Sequence, residues 1–165
     1  GYLKNRDATE EVWQDGWLNT GDVAVELEDG CLAFVDRRKN IIRRSGENIS
    51  ALEVETAVAN HPAIQSAVAT AVPDDMRGDE VALCVIPTHG TTAHLSVAKA
   101  IQEHALDALV YFKAPGWIIF TEELPVTTSN KPRRADIKQF ARDAIASEQE
   151  ANAFDLRPWK KRKKP

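Results

Sequence analysis

Alternation of apolar and other residues in the first quarter of the chain predicts a β-hairpin. Apolar residues alternate over 23–27 and again over 32–34, and Glu-Asp-Gly at 28–30 separates the two runs. A period of two is typical of strands, and a Gly-containing turn between two such runs is typical of a hairpin. Residues 1–22 have no clean period. We expect that segment to need another surface to pack on.

A helix and two strands are predicted next. Ser50 followed by Glu53 has the spelling of a capping box, and the apolar positions after it predict a helix over about 51–60. Runs rich in Ala and β-branched residues predict strands over 64–72 and 81–86, with turn-forming residues between them.

The pattern then returns to helical spacing. Apolar residues three or four positions apart predict a helix over 95–108, and a fully apolar run at 117–120 predicts a short strand. A final helix is predicted around 137–145. Strands alternating with helices over 41–147 describe a compact α/β or α+β domain.

Charge is unevenly distributed along the 165 residues. The last nine residues, 157–165, hold six bases and no acid, so residues 1–156 carry 15 bases against 25 acids. An acidic body argues against nucleic-acid binding as the main function. We expect residues 148–165 to form a basic, disordered tail, because like charges keep a segment extended and solvated.

The cysteines and the hydropathy of the chain indicate the cellular compartment that we expect for the protein. Cys31 and Cys84 form no disulfide framework and no metal-binding spacing with the four histidines, so we expect free thiols and a cytoplasmic location. No run approaches about 18 apolar residues, so we expect neither a membrane span nor a signal peptide. The chain starts at Gly1 and has one methionine, Met76, from which we expect a truncated N-terminus.

Two segments join turn-forming residues to charge. In 17–22 a glycine precedes Asp22, whose carboxylate can accept hydrogen bonds from the two vicinal hydroxyls of a ribose. The segment 36–50 has five bases within 37–44, which can face phosphates, and its Ser-Gly-Glu-Asn at 45–48 can lie close to a ligand. Taken singly, the first is also typical of a surface turn and the second of a charged hairpin edge.

A third segment, 124–134, presents Lys131 in a hydroxyl-rich loop before a helix. An ammonium on a flexible stem can bridge a phosphate and a carboxylate, as acyl-phosphate chemistry requires. Alone, this segment is equally typical of an ordinary polar loop.

Together, in this order and with these separations, the segments resemble the late core motifs of the adenylate-forming (AMP-binding) superfamily, and in particular the C-terminal part of its acyl-CoA synthetases and CoA ligases. The resemblance extends from residue 1 to about 145. The matching runs are GWLNTGD at 16–22, VDRRKNII at 35–42, SGENISALEVE at 45–55 and LPVTTSNK at 124–131.

This resemblance implies an α+β fold: a small C-terminal domain with a mainly antiparallel sheet flanked by helices, preceded by a hairpin from the end of a missing large domain. Residues 1–38 would end the large AMP-binding domain, and residues 39–147 would form the mobile C-terminal domain.

In this family a carboxylic acid and ATP form an acyl-adenylate and pyrophosphate, and CoA then takes the acyl group. The resemblance implies ATP and CoA as cofactors, Mg²⁺ held through the missing large domain, and an isolated chain that is inactive. The site residues it implies are Lys131 for catalysis of adenylation; Asp22, Arg37 and Thr20 for nucleotide binding; Lys39 as the hinge; and Gly46, Ser45 and Glu47 for CoA binding.

Asn130 stands where the family usually has glycine before its adenylation lysine. Asn tolerates left-handed dihedrals better than most residues, so we expect the loop to keep its geometry. The motif spellings are closer to CoA ligases of fatty or carnitine-type acids than to luciferases, and no carrier segment typical of peptide synthetases follows Lys131.

A different class of function remains open. The chain could be a non-catalytic interaction module whose basic tail, Arg157–Lys164, binds a partner, phosphate headgroups or nucleic acid by charge. A domain that only docks on a partner would not require Asp22, Arg37 and Lys131 together. Their joint presence therefore favours the ligase interpretation.

Overall fold

A computed structural model describes residues 1–147 and 152–160 of the protein. The chain divides into two compact units, the first over residues 1–39 and the second beginning at Asn40. This division falls one residue beyond the boundary expected from the motifs.

The first unit begins with a short helix and a minimal hairpin. Helix α1 spans Arg6–Val12, and Oδ1 of Asn5 caps it by accepting from the amide of Ala8 at 3.0 Å. Strands β1 (Trp13–Gln14) and β2 (Trp17–Leu18) then pair in antiparallel fashion.

The predicted hairpin is confirmed in the rest of this unit. Strands β3 (Asp22–Glu26) and β4 (Leu32–Arg37) are antiparallel, with a register shift between Val23 and Ala24. Several large apolar side chains of the unit are exposed, among them Leu3 and Trp17. The unit thus has little core of its own.

The second unit is built on a six-stranded sheet within the described residues. Its strands are β5 (Ile41–Arg44), β6 (Glu47–Ser50), β7 (Ile64–Asp74), β8 (Gly78–Pro87), β9 (Trp117–Phe120) and β10 (Ala153–Asp155). Strand β8 is antiparallel to β7 along its length, parallel to β9, and touches β5 at one register position. The pairs β5 with β6 and β9 with β10 are antiparallel. The sheet is therefore mainly antiparallel, as expected.

Helices cover both faces of this sheet. They are α2 (Ala51–Val58), α3 (Leu95–Ala108) and α4 (Arg134–Ala146), with 3₁₀ turns at Arg38–Asn40 and Arg157–Trp159. Strand β8 alternates between two cores: Leu83 and its like-facing neighbours pack with α2 and α3, whereas Ala82 and Cys84 pack with α4. A strand that is buried on both faces has apolar residues at consecutive positions, which explains the unbroken apolar run over 81–86.

Local signals at the helix ends are confirmed. The Ser50 hydroxyl accepts from the amide of Glu53 at 3.2 Å, so the first half of the predicted capping box forms. Helix α3 has the predicted bounds, and α4 starts at Arg134, three residues earlier than its apolar pattern suggested. None of the helices in the described part of the chain is long and apolar enough to cross a membrane.

The prediction of a disordered tail from residue 148 is wrong for residues 152–160. Strand β10 extends the sheet beside β9, and Leu156 is fully buried in the core under α3. The side-chain amide of Gln102 donates to the carbonyl of Leu156 at 3.0 Å, and the Leu156 amide donates to the carbonyl of Gly116 at 2.8 Å. The remainder of the predicted tail, 148–151 and 161–165, lies outside the described residues.

Candidate functional site

The three predicted nucleotide-binding residues lie together in the first unit. Asp22 and Arg37 face each other across the β3–β4 hairpin, with Nε of Arg37 at 3.2 Å from Oδ1 of Asp22. The Thr20 hydroxyl accepts from the Asp22 amide at 3.1 Å, and Gly21, at φ +74°, lets the chain turn sharply between them. The side chains of Asp22 and Arg37 are 36% and 57% exposed, so both can reach a ligand.

Lys39, the predicted hinge, is an exposed residue in the 3₁₀ turn Arg38–Asn40. The turn begins at a backbone hydrogen bond from the amide of Arg38 to the carbonyl of Gly21 at 2.7 Å. The chain divides into its two units directly after Lys39. Its position is that of a linker residue, and its movement remains a prediction.

The predicted CoA-binding residues form a tight turn between β5 and β6. Arg44 pairs with Glu47 across the hairpin, which leaves Ser45 and Gly46 as a two-residue loop. Their φ angles of +50° and +86° are those of a type I′ turn. A Cβ atom placed on Gly46 would have no neighbouring heavy atom within 4 Å. Glycine is therefore favoured here by the left-handed backbone conformation and not by crowding.

A cavity of about 350 Å³ borders this turn. Ser45 and Glu47 line it together with two aromatic residues, Tyr111 and Phe112, that the sequence analysis did not single out. The rest of the lining is cationic and consists of Arg44, Arg77, Arg157 and Lys160.

Arg44 and Lys160 converge on one buried carboxylate. Glu80 is fully buried and accepts from Nε of Arg44 at 2.9 Å, from Nζ of Lys160 at 2.7 Å and from the Val81 amide at 2.8 Å. Burial lowers the pKa of Lys160 to about 8, although the charge of Glu80 opposes that change. The expectation that the whole basic run faces phosphates is therefore wrong for Arg44, which is 6% exposed and bound to Glu80.

A second ion pair connects the C-terminal segment to the β7–β8 turn. Arg157 donates to Asp74 at 3.0 Å and to Asp155 at 2.8 Å. Burial raises the pKa of Asp74, but the hydrogen bonds from Arg157 and the Met76 amide and the nearby guanidinium charges outweigh it, so that pKa lies below its ordinary value. The apolar residues Phe154 and Leu156, spaced two apart within the charged C-terminal region, were the sequence signal for this docked segment.

Lys131 lies at the end of a small loop that closes on itself. The Thr127 amide donates to the carbonyl of Lys131 at 2.8 Å, and the Thr127 hydroxyl accepts from the Lys131 amide at 3.1 Å. Val126 and Pro132 form an isolated antiparallel bridge at the base of the loop. Lys131 is exposed, and no acceptor for its ammonium lies within residues 1–147 and 152–160.

The residue before this lysine adopts the expected conformation. Asn130 has φ +59°, in the left-handed region, and its amide donates to the carbonyl of Thr127 at 2.9 Å. The expectation that asparagine keeps the loop geometry of a glycine is confirmed.

The two predicted groups of the second unit are separate. No hydrogen bond or ion pair in the described part of the chain joins Lys131 to the Ser45–Glu47 turn. Nor do the described residues hold a group of three or more His, Cys, Asp or Glu side chains arranged for a metal ion.

Residues 53–131 match the family model of the AMP-binding enzyme C-terminal domain. The chain contains an AMP-binding enzyme C-terminal domain. The matched residues run from α2 to Lys131, so this domain includes β7, β8, α3, β9 and the whole Lys131 loop.

Several curated relatives of the chain are CoA ligases. The chain is 38% identical over 139 residues to an oxalate–CoA ligase of Arabidopsis thaliana, covering 84% of this chain and 26% of that protein. It is 36% identical over 145 residues to a long-chain-fatty-acid–CoA ligase of Salmonella typhimurium, covering 88% of this chain and 25% of that protein. The chain thus spans about a quarter of the length of the curated relatives it matches.

Solved structures of adenylate-forming enzymes share the fold. One is the o-succinylbenzoate CoA synthetase of Bacillus subtilis in complex with its acyl-adenylate intermediate, at 29% identity and a TM-score of 0.74. The match covers 83% of this chain and 27% of that one.

Proposed function

We propose that this chain forms the C-terminal part of an ATP-dependent acid–CoA ligase of the AMP-forming type. Such an enzyme joins a carboxylic acid to ATP as an acyl-adenylate with release of pyrophosphate, and then transfers the acyl group to the CoA thiol with release of AMP. The observation that carries the proposal is the exposed Lys131 in its self-closed loop. An ammonium that no acceptor among the described residues engages can neutralise the two anions that must meet during adenylation.

The residues of the first unit fit a nucleotide. The Asp22 carboxylate can accept from both ribose hydroxyls, and Arg37 beside it can orient that carboxylate. Thr20 shapes the turn through its hydrogen bond to the Asp22 amide.

The Ser45–Gly46 turn fits the second half-reaction. Gly46 has open space beside it, which would let a narrow pantetheine arm pass. Ser45 and Glu47 line the cavity of about 350 Å³ beside this turn, which would give that arm a place to lie. Lys39, at the boundary between the units, would act as the hinge that exchanges the two half-reactions.

The proposal requires a large AMP-binding domain as partner. Mg²⁺ would be held through that domain, as the resemblance to the family implies. The isolated chain would therefore be inactive. The free thiols Cys31 and Cys84 agree with a reducing compartment, and we propose the cytoplasm.

A graft tests the ligase function. The full 165-residue chain replaces the matched C-terminal part of the Salmonella long-chain ligase, with palmitate as the acid. We expect palmitate-dependent exchange of pyrophosphate into ATP, and a loss of at least about 100-fold in Lys131→Ala, because the ammonium offsets charge that develops in the transition state.

The control for this substitution is Lys138→Ala, which removes a lysine of α4 outside the loop. Exchange in Lys138→Ala should stay within about twofold of the unsubstituted graft, since surface changes away from a site have small effects. Equal exchange rates in Lys131→Ala and the unsubstituted graft would contradict the proposal.

The alternative function, an interaction module that binds through its basic tail, is weakened by the contacts of that tail. Arg157 and Lys160, two of the six tail bases, are bound to Asp74, Asp155 and Glu80 inside the fold. These two side chains are therefore less available to bind an acidic partner.

A further inference from the structure

The Lys131 loop holds its own shape, and its place on the domain depends on the elements that flank it. Its hydrogen bonds run between Thr127 and the residues up to Lys131, and thus stay inside the loop. Three residues after Lys131, helix α4 begins at Arg134. An anchor at the start of α4 would therefore act directly on the position of the loop.

Arg134 has the contacts of such an anchor. Its two terminal nitrogens donate to the two carboxylate oxygens of Glu55 at 2.9 and 3.0 Å, and a third contact reaches the carbonyl of Ala69 at 3.3 Å. Bidentate guanidinium–carboxylate pairs restrict orientation as well as distance. The side chains of Arg134 and Glu55 are 27% and 15% exposed, so solvent screens this pair less than a pair on the open surface.

Glu55 is itself fixed on two elements. It belongs to α2, and its Oε1 also accepts from the amide of Ala69 in β7 at 2.9 Å. Through one carboxylate the start of α4 is thus connected to both α2 and β7.

The neighbouring Arg133 provides a matched comparison. It has the same side chain one position earlier, at the N-cap of α4, but its Nε pairs with Asp136 in the first turn of that helix at 3.0 Å, and those side chains are 57% and 43% exposed. Its ion pair therefore stays within one turn of α4 and connects no second element.

We propose that Arg134, held by Glu55, is a positioning residue for Lys131. This inference rests on the proposed function, because it assumes that Lys131 acts in adenylation. The lysine stem is flexible, but the position of its Cα limits which anions the ammonium can reach. Misplacement of a reacting group by about 1 Å can cost about 100-fold in rate.

The loop itself is examined first, in the full 165-residue chain. ¹⁵N relaxation at Ser129, Asn130 and Lys131 is compared between Arg134→Ala and Arg133→Ala. We expect order parameters near about 0.85 in the unsubstituted chain and in Arg133→Ala, and below about 0.6 in Arg134→Ala. Equal order parameters in the two variants would overturn the inference without touching the proposed function.

The two half-reactions are then measured separately in the graft. We expect Arg134→Ala to lower pyrophosphate exchange by at least about tenfold, while CoA thioester formation from supplied palmitoyl-adenylate stays within about twofold. Arg134→Lys should recover part of the exchange, since it keeps the charge but loses the bidentate geometry. Arg133→Ala should leave both steps within about twofold.

A merely structural role predicts a different outcome. Both half-reactions would then fall together in Arg134→Ala, in step with a lower unfolding temperature, and the inference would be overturned. If instead Lys131→Ala retained full exchange, the proposed function itself would fail, whatever Arg134 does to the loop.

Discussion

Lys160 donates to the buried carboxylate of Glu80 at 2.7 Å, across 80 positions of sequence. Glu80 also accepts from Arg44, so one carboxylate at the start of β8 holds a strand on one side and the C-terminal segment on the other. Removing Lys160 would take a charge-assisted hydrogen bond from this buried carboxylate, which would keep Arg44 as its ion-pair partner. The stability of the domain therefore depends on residues close to the end of the described chain.

Truncation should show this dependence. A chain that ends at Ser147 loses the burial of Leu156 and leaves Glu80 without Lys160. We expect its free energy of unfolding to fall by at least about 3 kcal/mol, combining the lost apolar burial with the lost ion pair. Urea unfolding measures the difference. The full 165-residue chain is the reference, and equal stability of the full and truncated chains would contradict the prediction.

The buried lysine predicts a pH dependence of stability. Burial lowers the pKa of Lys160 to about 8 from an ordinary value of 10.5. Between about pH 8 and pH 10.5 the Lys160 side chain binds more protons in the unfolded chain than in the folded one. The free energy of unfolding therefore rises with pH over this range.

Lys160→Met isolates this effect. The free energy of unfolding of the unsubstituted chain, relative to Lys160→Met, should rise by about 2 kcal/mol between pH 7 and pH 9.5. Urea unfolding of both chains at the two pH values measures it. A difference that stays flat or falls with pH would show that Lys160 titrates normally in the folded state.

The two cysteines should differ in reactivity. Cys31 is exposed, whereas Cys84 is buried in β8, where burial raises the pKa of its thiol to about 12. The thiolate is the reactive form, so a native chain should react with one equivalent of an aromatic disulfide reagent and a denatured chain with two. Cys31→Ser should abolish the native reaction. Rapid native labelling of Cys84 would contradict its burial.

Asn130 should tolerate only residues that accept its left-handed backbone. Asn130→Gly should leave the unfolding temperature and pyrophosphate exchange of the graft nearly unchanged. Asn130→Val should cost about 1–2 kcal/mol, since a β-branched residue is strained at φ +59°. Pyrophosphate exchange should also fall in Asn130→Val, because a changed backbone at residue 130 displaces Lys131, the next residue. Normal exchange in Asn130→Val would show that the loop does not need this conformation.

Local sequence signals were sufficient for the first long hairpin, for α2, α3, β7, β8 and β9 and for the motifs, but they missed α1, β1, β2 and β10. The capping pair Ser50 and Glu53, the helical spacing over 95–108 and the alternation in the first hairpin each concern residues within a few positions of one another. Such patterns report which face of an element is buried, and they place Ser45, Gly46 and Lys131 in turns and loops, and Asp22 directly after a turn, without knowledge of the fold.

Long-range partners were decided by the tertiary structure alone. Glu80 meets Lys160, and Glu55 meets Arg134, because the order and register of the strands bring distant segments together, and hydrophobic periodicity carries no record of that order. The same reason explains the error at residues 152–160. Their charge predicts a solvated tail, but the open edge of β9 and the buried carboxylate of Glu80 exist only once the sheet has formed.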